Sequence, residues 1–290
     1  MTATSRFREL VERPGILTAM GGYDALSAKL VERAGGDVVY MSGSSVSTST
    51  HGYPDVGLTT LTEMVSRARG MVGAVDVPVF CDADTGYGNP VNVVRTVEEF
   101  ERAGVAGIHL EDQTFPKKCG HFDSKDVVGV EEMVRKIEAT LDARSDDDFV
   151  IIARTDARAV EGYSATVERG HAYLEAGADV LFFEAPQSRA ELERVGDEFG
   201  DHPLLANMTE GGKTPMVPAA ELEPMGFDIA LFPATGFKAA AKAMAEVYGE
   251  IAETGSQVGV MDRLVTWEER NDITGLAEIE DMEERYATDQ

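Results

Sequence analysis

Short hydrophobic runs recur along the chain, and each is bounded by turn residues or by a segment with helical spacing. Most runs are too short to be buried helices and are rich in β-branched or aromatic residues, so we predict a β-strand at each. The eight predicted strands are Ile16–Met20, Val38–Met41, Pro78–Cys81, Gly107–Leu110, Phe149–Ala153, Val180–Phe183, Leu204–Ala206 and Ile229–Phe232.

Amphipathic segments separate these strands, and several of them end near a glycine, as helix C-termini often do. Regular alternation of strand and helix predicts parallel strands joined by right-handed crossovers. The predicted helices are Ala25–Ala34, Leu61–Val72, Val91–Ala103, Val130–Arg144, Ser164–Ala176 and Arg189–Phe199, followed by a longer one over about 237–253.

The phrases VERAGGDVVY, FERAGVAGIHL and YLEAGADVLFF repeat the order of helix, Ala-Gly and strand. Eight such strands, with no G-x-G-x-x-G after the first, favour an α/β fold of the (β/α)8 barrel type over a doubly wound open sheet. We predict a catalytic barrel over residues 1–240. We expect residues 241–290 to form a helical extension that is part of the same domain or is swapped onto a neighbouring subunit.

The charge balance excludes some classes of partner. The 290 residues include 52 acidic and 26 basic side chains, a formal net charge of −26. Such a surface repels nucleic acid and anionic membranes, and acids spread over the whole chain suggest a halophile's high-salt cytoplasm. The chain has no apolar stretch of membrane-spanning length, and its first residues lack the apolar core of a signal peptide, so we expect a cytoplasmic protein.

Polar residues follow nearly every predicted strand, which matters because the active site of such barrels lies at the carboxyl ends of the strands. These residues are Tyr40 at the end of strand two with Ser42, Gly43 and Ser44 after it, Asp82 and Asp84 after strand three, and Glu111, Asp112 and Gln113 after strand four. Arg154, Thr155 and Asp156 follow strand five, Glu184 follows strand six, and Asn207 and Thr209 follow strand seven.

Three of these residues predict a metal site. Asp82 and Asp84 share one face of an extended segment, and Glu111 comes from the neighbouring strand. Oxygen ligands without histidine or thiolate suit Mg²⁺, or Mn²⁺, better than zinc. Asp55, on the loop after strand two, could join through a water molecule. The alternative is that the carboxylates only cap the helices that follow them.

The two cysteines have different surroundings. Cys81 lies inside a hydrophobic strand, as buried structural cysteines do. Cys119 lies in the loop FPKKCGHFDSK, between Lys118 and Gly120 and two residues before His121. Cationic neighbours stabilise a thiolate, so we predict that Cys119 is the reactive cysteine and that this basic loop binds an anion. A solvated basic loop is the alternative.

Arg154 has a planar guanidinium that can bind both oxygens of a carboxylate. The alternative is that Arg154 forms only a structural ion pair.

Five strings, in order along the chain, resemble the isocitrate lyase and phosphoenolpyruvate mutase superfamily: DADTGYGN, HLEDQ, KKCGH, RTDA and LLANMTE. KKCGH resembles the lyase branch rather than the mutase branch. The chain length resembles the short 2-methylisocitrate lyases more than the longer isocitrate lyases.

This resemblance implies a Mg²⁺-dependent lyase that cleaves a 2-hydroxy di- or tricarboxylate into a 2-oxoacid and succinate. It also implies a homotetramer that exchanges a C-terminal helix. Asp82, Asp84, Glu111 and Asp55 would hold the metal, and Cys119, with His121 and Arg154, would act in catalysis. The implied substrate-binding residues are Tyr40, Ser42, Gly43, Ser44, Asp82, Lys118, Gly120, Glu184, Asn207 and Thr209.

Some positions depart from the resemblance. Lys238 stands where the short lyases typically have an arginine, and a lysine cannot make the same bidentate contact. Arg270 would correspond to a substrate-contacting arginine of the C-terminal region. A smaller diacid, as in dimethylmalate lyase or oxaloacetate hydrolase, is therefore a second candidate substrate. Two more hypotheses remain open: an enzyme that acts on a carbon-phosphorus bond, and an inert barrel that keeps only the metal site.

Overall fold

In the computed structural model, which describes residues 1–120 and 125–287, eight parallel strands pair in chain order and β8 closes onto β1. This closed sheet with helices between its strands confirms the predicted (β/α)8 barrel. The strands are β1 (Leu17–Gly22), β2 (Val39–Met41), β3 (Val79–Asp82), β4 (Gly107–Glu111), β5 (Val150–Thr155), β6 (Val180–Phe183), β7 (Leu204–Asn207) and β8 (Ile229–Phe232).

Helices follow the strands, and polar residues cap many of them. Asn89, for example, accepts from the backbone N–H groups of Val91 and Asn92, and Pro90 occupies the first helical position. The helices are α1 (Ala3–Glu12), α2 (Ala25–Arg33), α3 (Gly43–His51), α4 (Leu61–Val72), α5 (Pro90–Arg102), α6 (Val130–Ala143), α7 (Tyr163–Glu175), α8 (Arg189–Phe199), α9 (Ala219–Leu222), α10 (Thr235–Thr254), α11 (Trp267–Thr274) and α12 (Leu276–Tyr286).

The sequence pattern did not predict α1 or α3, and several strand ends differ from the prediction. Helix α3 has the sequence GSSVSTSTH, whose serines and threonines are weak helix formers; it begins because the Ser42 side chain accepts from Ser45 N–H. Asp82, Glu111 and Asn207 are the last residues of their strands rather than the residues after them. Likewise, Arg154 and Thr155 are the last two residues of β5 rather than residues after it. Hydrophobic runs therefore locate strands but do not show where backbone pairing stops.

The barrel interior is filled by side chains from alternating strand positions, including Leu17, Tyr40, Phe80 and Ile152. Helix α1 covers the amino ends of the strands, and its fully buried Phe7 stacks on Phe80 with ring centroids 5.0 Å apart. The amino end is therefore closed by apolar packing, which leaves the carboxyl end for polar groups.

The chain divides into two compact units, Met1–Thr235 and Gly236–Gln290. The second unit contains α10 from Gly236 onward, a short 3-10 segment over Val258–Arg263, α11 and α12. None of the described residues of α10, α11 or α12 is buried. In the described part of the chain, no helix has the length and apolar character that a bilayer span needs.

Candidate active site

Buried acidic side chains gather at the carboxyl ends of β3 and β4. Asp82, Asp84 and Glu111 are 4%, 7% and 0% exposed. Asp84 has a left-handed backbone with φ of 47°, and its N–H donates to Asp82 Oδ1 at 2.9 Å. A non-glycine residue holds this conformation only where its surroundings enforce it, as they often do at functional sites.

Lys117 brings a positive charge to this acidic group. Its buried ammonium lies 2.5 Å from Asp55 Oδ1 and 2.8 Å from Asp84 Oδ1. Burial alone would lower the pKa of Lys117, but Asp55 and Asp84 raise it well above its ordinary value. Lys117 is therefore a permanent cation on the carboxylates. The sequence prediction counted it in the basic loop but did not assign it to the site.

Burial raises the pKa of Asp84 to about 6 despite the opposing charge of Lys117, and burial raises the pKa of Glu111 well above its ordinary value. Asp82 differs: burial would raise its pKa, but the adjacent His109 and the charges of Lys117 and Arg154 hold it below its usual range. Burial therefore disfavours ionisation of Asp84 and Glu111. If all of these carboxyls were ionised, the group would carry more negative charge than Lys117 and Arg154 balance.

A divalent cation fits this imbalance. Neither oxygen of Glu111 has a hydrogen-bond partner among the described residues, although both are buried. The neighbouring atoms that could bind a metal ion are carboxylate oxygens, which suit a divalent cation. No three histidine, cysteine, aspartate or glutamate side chains of the described residues surround one point as metal ligands do. The ammonium of Lys117 lies between Asp55 and Asp84 instead, so a shared metal on Asp82, Asp84, Glu111 and Asp55 stays a prediction.

Arg154, in β5, contacts three acidic side chains: Asp156 directly after its own strand, Glu111 at the end of β4, and Glu184 after β6. Its Nε donates to Asp156 Oδ2 at 2.8 Å, and its guanidinium lies 3.4 Å from Glu111 and 3.7 Å from Glu184. The Arg154 guanidinium also lies over the Phe182 ring, 4.9 Å from the ring centroid. These contacts fix the plane of the guanidinium at the carboxyl end of the barrel, where it can bind a carboxylate.

The loop that carries Cys119 lies over this group of side chains. Cys119 N–H donates to the Asp55 carbonyl at 3.0 Å, and the side-chain amide of buried Gln113 hydrogen-bonds both backbone groups of Lys118. Lys118 and Cys119 are partly buried. The thiol and the acidic group therefore lie at the same end of the barrel.

Gly120 shows how closely the loop approaches Arg154. A Cβ atom built on Gly120 would collide with Arg154 Nη2 and would lie 2.5 Å from Glu184 Oε1. Only glycine lets the backbone come this near the two charged side chains. His121, which we predicted to act in catalysis, lies outside the described residues.

Tyr40 and His109 lie deeper in the barrel, beneath the acidic group. The Tyr40 hydroxyl and His109 Nε2 are 2.8 Å apart, and His109 Nε2 is 3.6 Å from Asp82 Oδ1. Burial is the main cause that lowers the pKa of His109 to about 4, and burial raises that of Tyr40 well above its ordinary value. Both side chains are therefore neutral near pH 7. The sequence reasoning singled out Tyr40 but not His109, although HLEDQ contains it.

The segment after β2 begins helix α3 beside the acidic group. Ser42 caps α3, and Gly43 and Ser44 form its first turn. A Cβ atom on Gly43 would lie 2.5 Å from Asp82 Oδ2, so a glycine is needed for the turn to pack against this carboxylate. The turn therefore borders the acidic group as predicted from its position after a strand.

The remaining predicted residues lie in two places. Asn207 Nδ2 donates to Glu184 Oε2 at 3.2 Å, and its buried Oδ1 has no partner among the described residues. Thr209 lies two residues beyond β7. Lys238 lies in the first turn of α10, and Arg270 lies in α11 with its guanidinium over the Trp267 ring, 4.6 Å from the centroid. Both belong to the second unit.

A model of the phosphoenolpyruvate phosphomutase family matches residues 7–252. The chain is 48% identical to 2,3-dimethylmalate lyase of Eubacterium barkeri over 288 residues, which cover 99% of each protein. It is 46% identical to a probable 2-methylisocitrate lyase of Corynebacterium glutamicum over 257 residues, which cover 89% of this chain and 83% of that protein.

Solved structures of related enzymes match this fold along nearly the whole chain. A crystal structure of 2,3-dimethylmalate lyase has a TM-score of 0.93 at 37% identity and covers 100% of this chain and 99% of that one. Oxaloacetate acetylhydrolase bound to 3,3-difluorooxalacetate has a TM-score of 0.93 at 34% identity, with coverage of 98% and 96%. Phosphonopyruvate hydrolase bound to oxalate and Mg²⁺ has a TM-score of 0.89 at 30% identity, with 99% of each chain covered.

Proposed function

Because this chain belongs to the PEP mutase/isocitrate lyase superfamily, we propose that it is a Mg²⁺-dependent carbon-carbon lyase that cleaves a 2-hydroxy di- or tricarboxylate by a reverse aldol reaction. The products would be a 2-oxoacid and a second carboxylic acid. The observation that carries this proposal is the position of the Cys119 loop. The backbone beside the thiol touches Arg154 and Glu184, next to the buried carboxylates.

The reaction develops negative charge at two places in the substrate, first on the hydroxyl oxygen and then on a carbon. The substrate hydroxyl loses its proton as the carbon-carbon bond breaks, and the electron pair of that bond then remains on a carbon beside a carboxylate. When bound at Asp82, Asp84 and Glu111, a divalent cation would supply Lewis-acid stabilisation of the substrate oxygens. The magnesium in a related phosphonopyruvate hydrolase supports this choice of ion.

The side chains of the chain have separate tasks in this proposal. Arg154 binds a substrate carboxylate through its fixed guanidinium plane, and Lys117 and Lys118 add positive charge beside it. Tyr40, with its buried neutral hydroxyl, orients the substrate at the bottom of the site. Cys119 Sγ donates its proton to the nascent carbanion, which completes the second product.

The similarities support two substrate types. Relatives named 2,3-dimethylmalate lyase and 2-methylisocitrate lyase share nearly half of their residues with this chain. A tricarboxylate carries one more carboxylate than dimethylmalate and needs one more cationic contact. Arg270, and Lys238 at the position where we expected an arginine, are the sequence candidates for that contact. Cleavage of one substrate type and not the other would show which of the two the site accepts.

We also propose that the protein is a homotetramer with the second unit as its assembly element. That unit exposes large apolar side chains that a soluble monomer seldom leaves in water. Among them are Tyr248, Val258, Met261, Val265, Trp267 and Tyr286, which are 57–76% exposed. Light scattering of the purified protein tests the tetramer directly.

The test of the function is a substrate panel. Purified protein is incubated with Mg²⁺ and 2-methylisocitrate, isocitrate, 2,3-dimethylmalate, oxaloacetate or phosphonopyruvate, with and without EDTA, and released 2-oxoacid, oxalate or phosphate is measured. We expect a 2-oxoacid from a 2-hydroxy acid, no product with EDTA, and recovery when Mg²⁺ or Mn²⁺ is added in excess.

Two results would reject the proposal. Release of oxalate from oxaloacetate, with no cleavage of hydroxy acids, would assign the activity named for oxaloacetate acetylhydrolase, whose fold matches closely. No turnover of any compound, together with Mg²⁺ binding in calorimetry, would indicate an inert barrel that keeps only its metal site.

A further inference from the structure

We propose that Lys125 and Asp156 form a positioning pair that fixes the backbone of Cys119 and Gly120 relative to the Arg154 guanidinium. This inference rests on the proposed function, in which Cys119 donates a proton and Arg154 binds a substrate carboxylate. Neither Lys125 nor Asp156 needs to touch the substrate in this role.

Lys125 makes the link to the loop. Its side chain is 1% exposed, and its ammonium donates both to the Gly120 carbonyl and, at 2.7 Å, to Asp156 Oδ1. Burying an ammonium is costly unless its N–H groups have hydrogen-bond acceptors. Here the Gly120 carbonyl and the Asp156 carboxylate each accept a hydrogen bond from Lys125. The Gly120 carbonyl is therefore held by a group that is itself fixed by Asp156.

Asp156 makes the link to Arg154. Its Oδ2 accepts from Arg154 Nε at 2.8 Å, and its Oδ1 accepts from Arg154 Nη2 at 3.1 Å as well as from Lys125. Burial would raise the pKa of Asp156, but the charges of Arg154 and Lys125 hold it below its ordinary value. One carboxylate therefore sets the positions of both cations.

A buried hydrogen-bond network centred on Asp112 holds Asp156 in place. Its N–H donates to Asp112 Oδ1 at 2.8 Å, while Asp112 Oδ2 accepts from Thr155 and Tyr173 at 2.8 Å and from Arg169 at 3.2 Å. All of these side chains are buried. The network runs from α7 through the ends of β4 and β5 to the loop, so Asp156 cannot shift without disturbing the barrel wall.

The precision of this arrangement matters for proton transfer. Gly120 has no space for a side chain against Arg154 and Glu184, so the loop backbone and the guanidinium are in direct contact. A displacement of about 1 Å between reacting groups can cost about 100-fold in rate. Stability alone does not account for a buried ion pair well, because apolar residues of similar size often stabilise a fold as much as the pair does. Fixing the position of the Cys119 and Gly120 backbone relative to Arg154 accounts for this pair better.

The kinetic test compares Lys125→Met and Asp156→Asn with Lys29→Met, a charge-removal control on α2. Lys125→Met leaves both Arg154 hydrogen bonds to Asp156 intact. We therefore expect kcat to fall about 100-fold while KM changes less than about threefold. Asp156→Asn loosens Arg154 as well and should both raise KM and lower kcat. Lys29→Met should match the unmodified protein.

A second readout needs no substrate. In a Cys81→Ala background, the rate at which iodoacetamide alkylates Cys119 reports how firmly the loop is held. We expect Lys125→Met to raise this rate about tenfold, because releasing the Gly120 carbonyl exposes the thiol. Lys125→Gln, which keeps a donor for that carbonyl but loses the charge, should give an intermediate rate and serves as the second variant if Lys125→Met folds poorly.

The outcomes separate the two proposals. If the unmodified protein cleaves no hydroxy acid, the proposed function fails, and the alkylation rates still judge the positioning pair. If Lys125→Met lowers the melting temperature but leaves the alkylation rate and kcat unchanged, the pair is only structural and this inference is wrong. The kinetic measurements are made well below the melting temperature of each variant.

Discussion

The side chain of Gln113 holds the backbone of Lys118 from both sides: Lys118 N–H donates to Gln113 Oε1 at 2.9 Å, and Gln113 Nε2 donates to the Lys118 carbonyl at 2.8 Å. Gln113 is 1% exposed and follows β4 by two residues. This amide therefore connects the strand that ends in Glu111 to the residue immediately before Cys119.

Gln113→Glu should disrupt this connection with almost no change in shape. The new carboxylate cannot donate to the Lys118 carbonyl and would repel it, while it can still accept from Lys118 N–H. We expect kcat to fall about tenfold, because the backbone before Cys119 loses one of its two supports. Gln187→Glu, at an exposed site before α8, is the matched control and should leave kcat unchanged. Equal kcat values for both variants would contradict the role of Gln113.

Cys119→Ser tests the proton donor itself. A serine hydroxyl is a far weaker acid than a thiol, so we expect turnover to fall by about 100-fold to 10,000-fold. Mg²⁺ binding, measured by calorimetry, should persist because Cys119 is not among the proposed ligands. Cys81→Ala is the control: Cys81 is fully buried in β3 within the apolar core and should affect stability more than rate. Near-normal activity of Cys119→Ser would exclude the role.

The sequence predicted those parts of the fold and site that depend on strand order. Asp82 and Glu111 could be assigned to one end of the barrel because parallel strands align their carboxyl ends. Contacts made by an irregular loop follow no such rule. No spacing in the sequence indicates that Lys117 reaches Asp55 and Asp84, or that Lys125 reaches Gly120 and Asp156.

The ion pair between Arg158 and Glu191 should make part of the stability depend on pH. Arg158 donates to the two carboxylate oxygens at 2.9 and 2.6 Å, and Gln187 N–H donates to Oε2 at 2.8 Å. The hydrogen bonds from Arg158 are the main cause that lowers the pKa of Glu191 below its ordinary 4.5. The folded protein thus takes up this proton less readily than the unfolded chain. The stabilisation is present above pH 4.5 and is lost as the pH falls through the lower folded value.

We therefore expect Glu191→Gln to lower the free energy of unfolding by about 1 kcal/mol at pH 7, since the pair is bidentate but partly exposed. The difference from the unmodified protein should shrink toward zero below the folded pKa. Urea unfolding across the pH range measures it. Glu193→Gln removes a more exposed ion pair with Arg189 and should cost less at every pH. A Glu191→Gln difference that persists undiminished in acid would assign it to packing instead.

The net charge of −26 predicts that salt stabilises the folded protein. Exposed carboxylates repel one another over a screening length of about 10 Å at 0.1 M salt but only about 3 Å at 1 M. We expect the melting temperature to rise by about 5 °C or more between 0.1 and 2 M KCl, because a gain of 1 kcal/mol already shifts a chain of this size by roughly 2 °C. The triple variant Asp142→Asn, Asp197→Asn and Asp201→Asn removes three exposed acids and should be more stable at low salt, with a flatter salt dependence. If both proteins respond equally, the salt acts by strengthening apolar burial rather than by screening, and the halophilic interpretation is wrong.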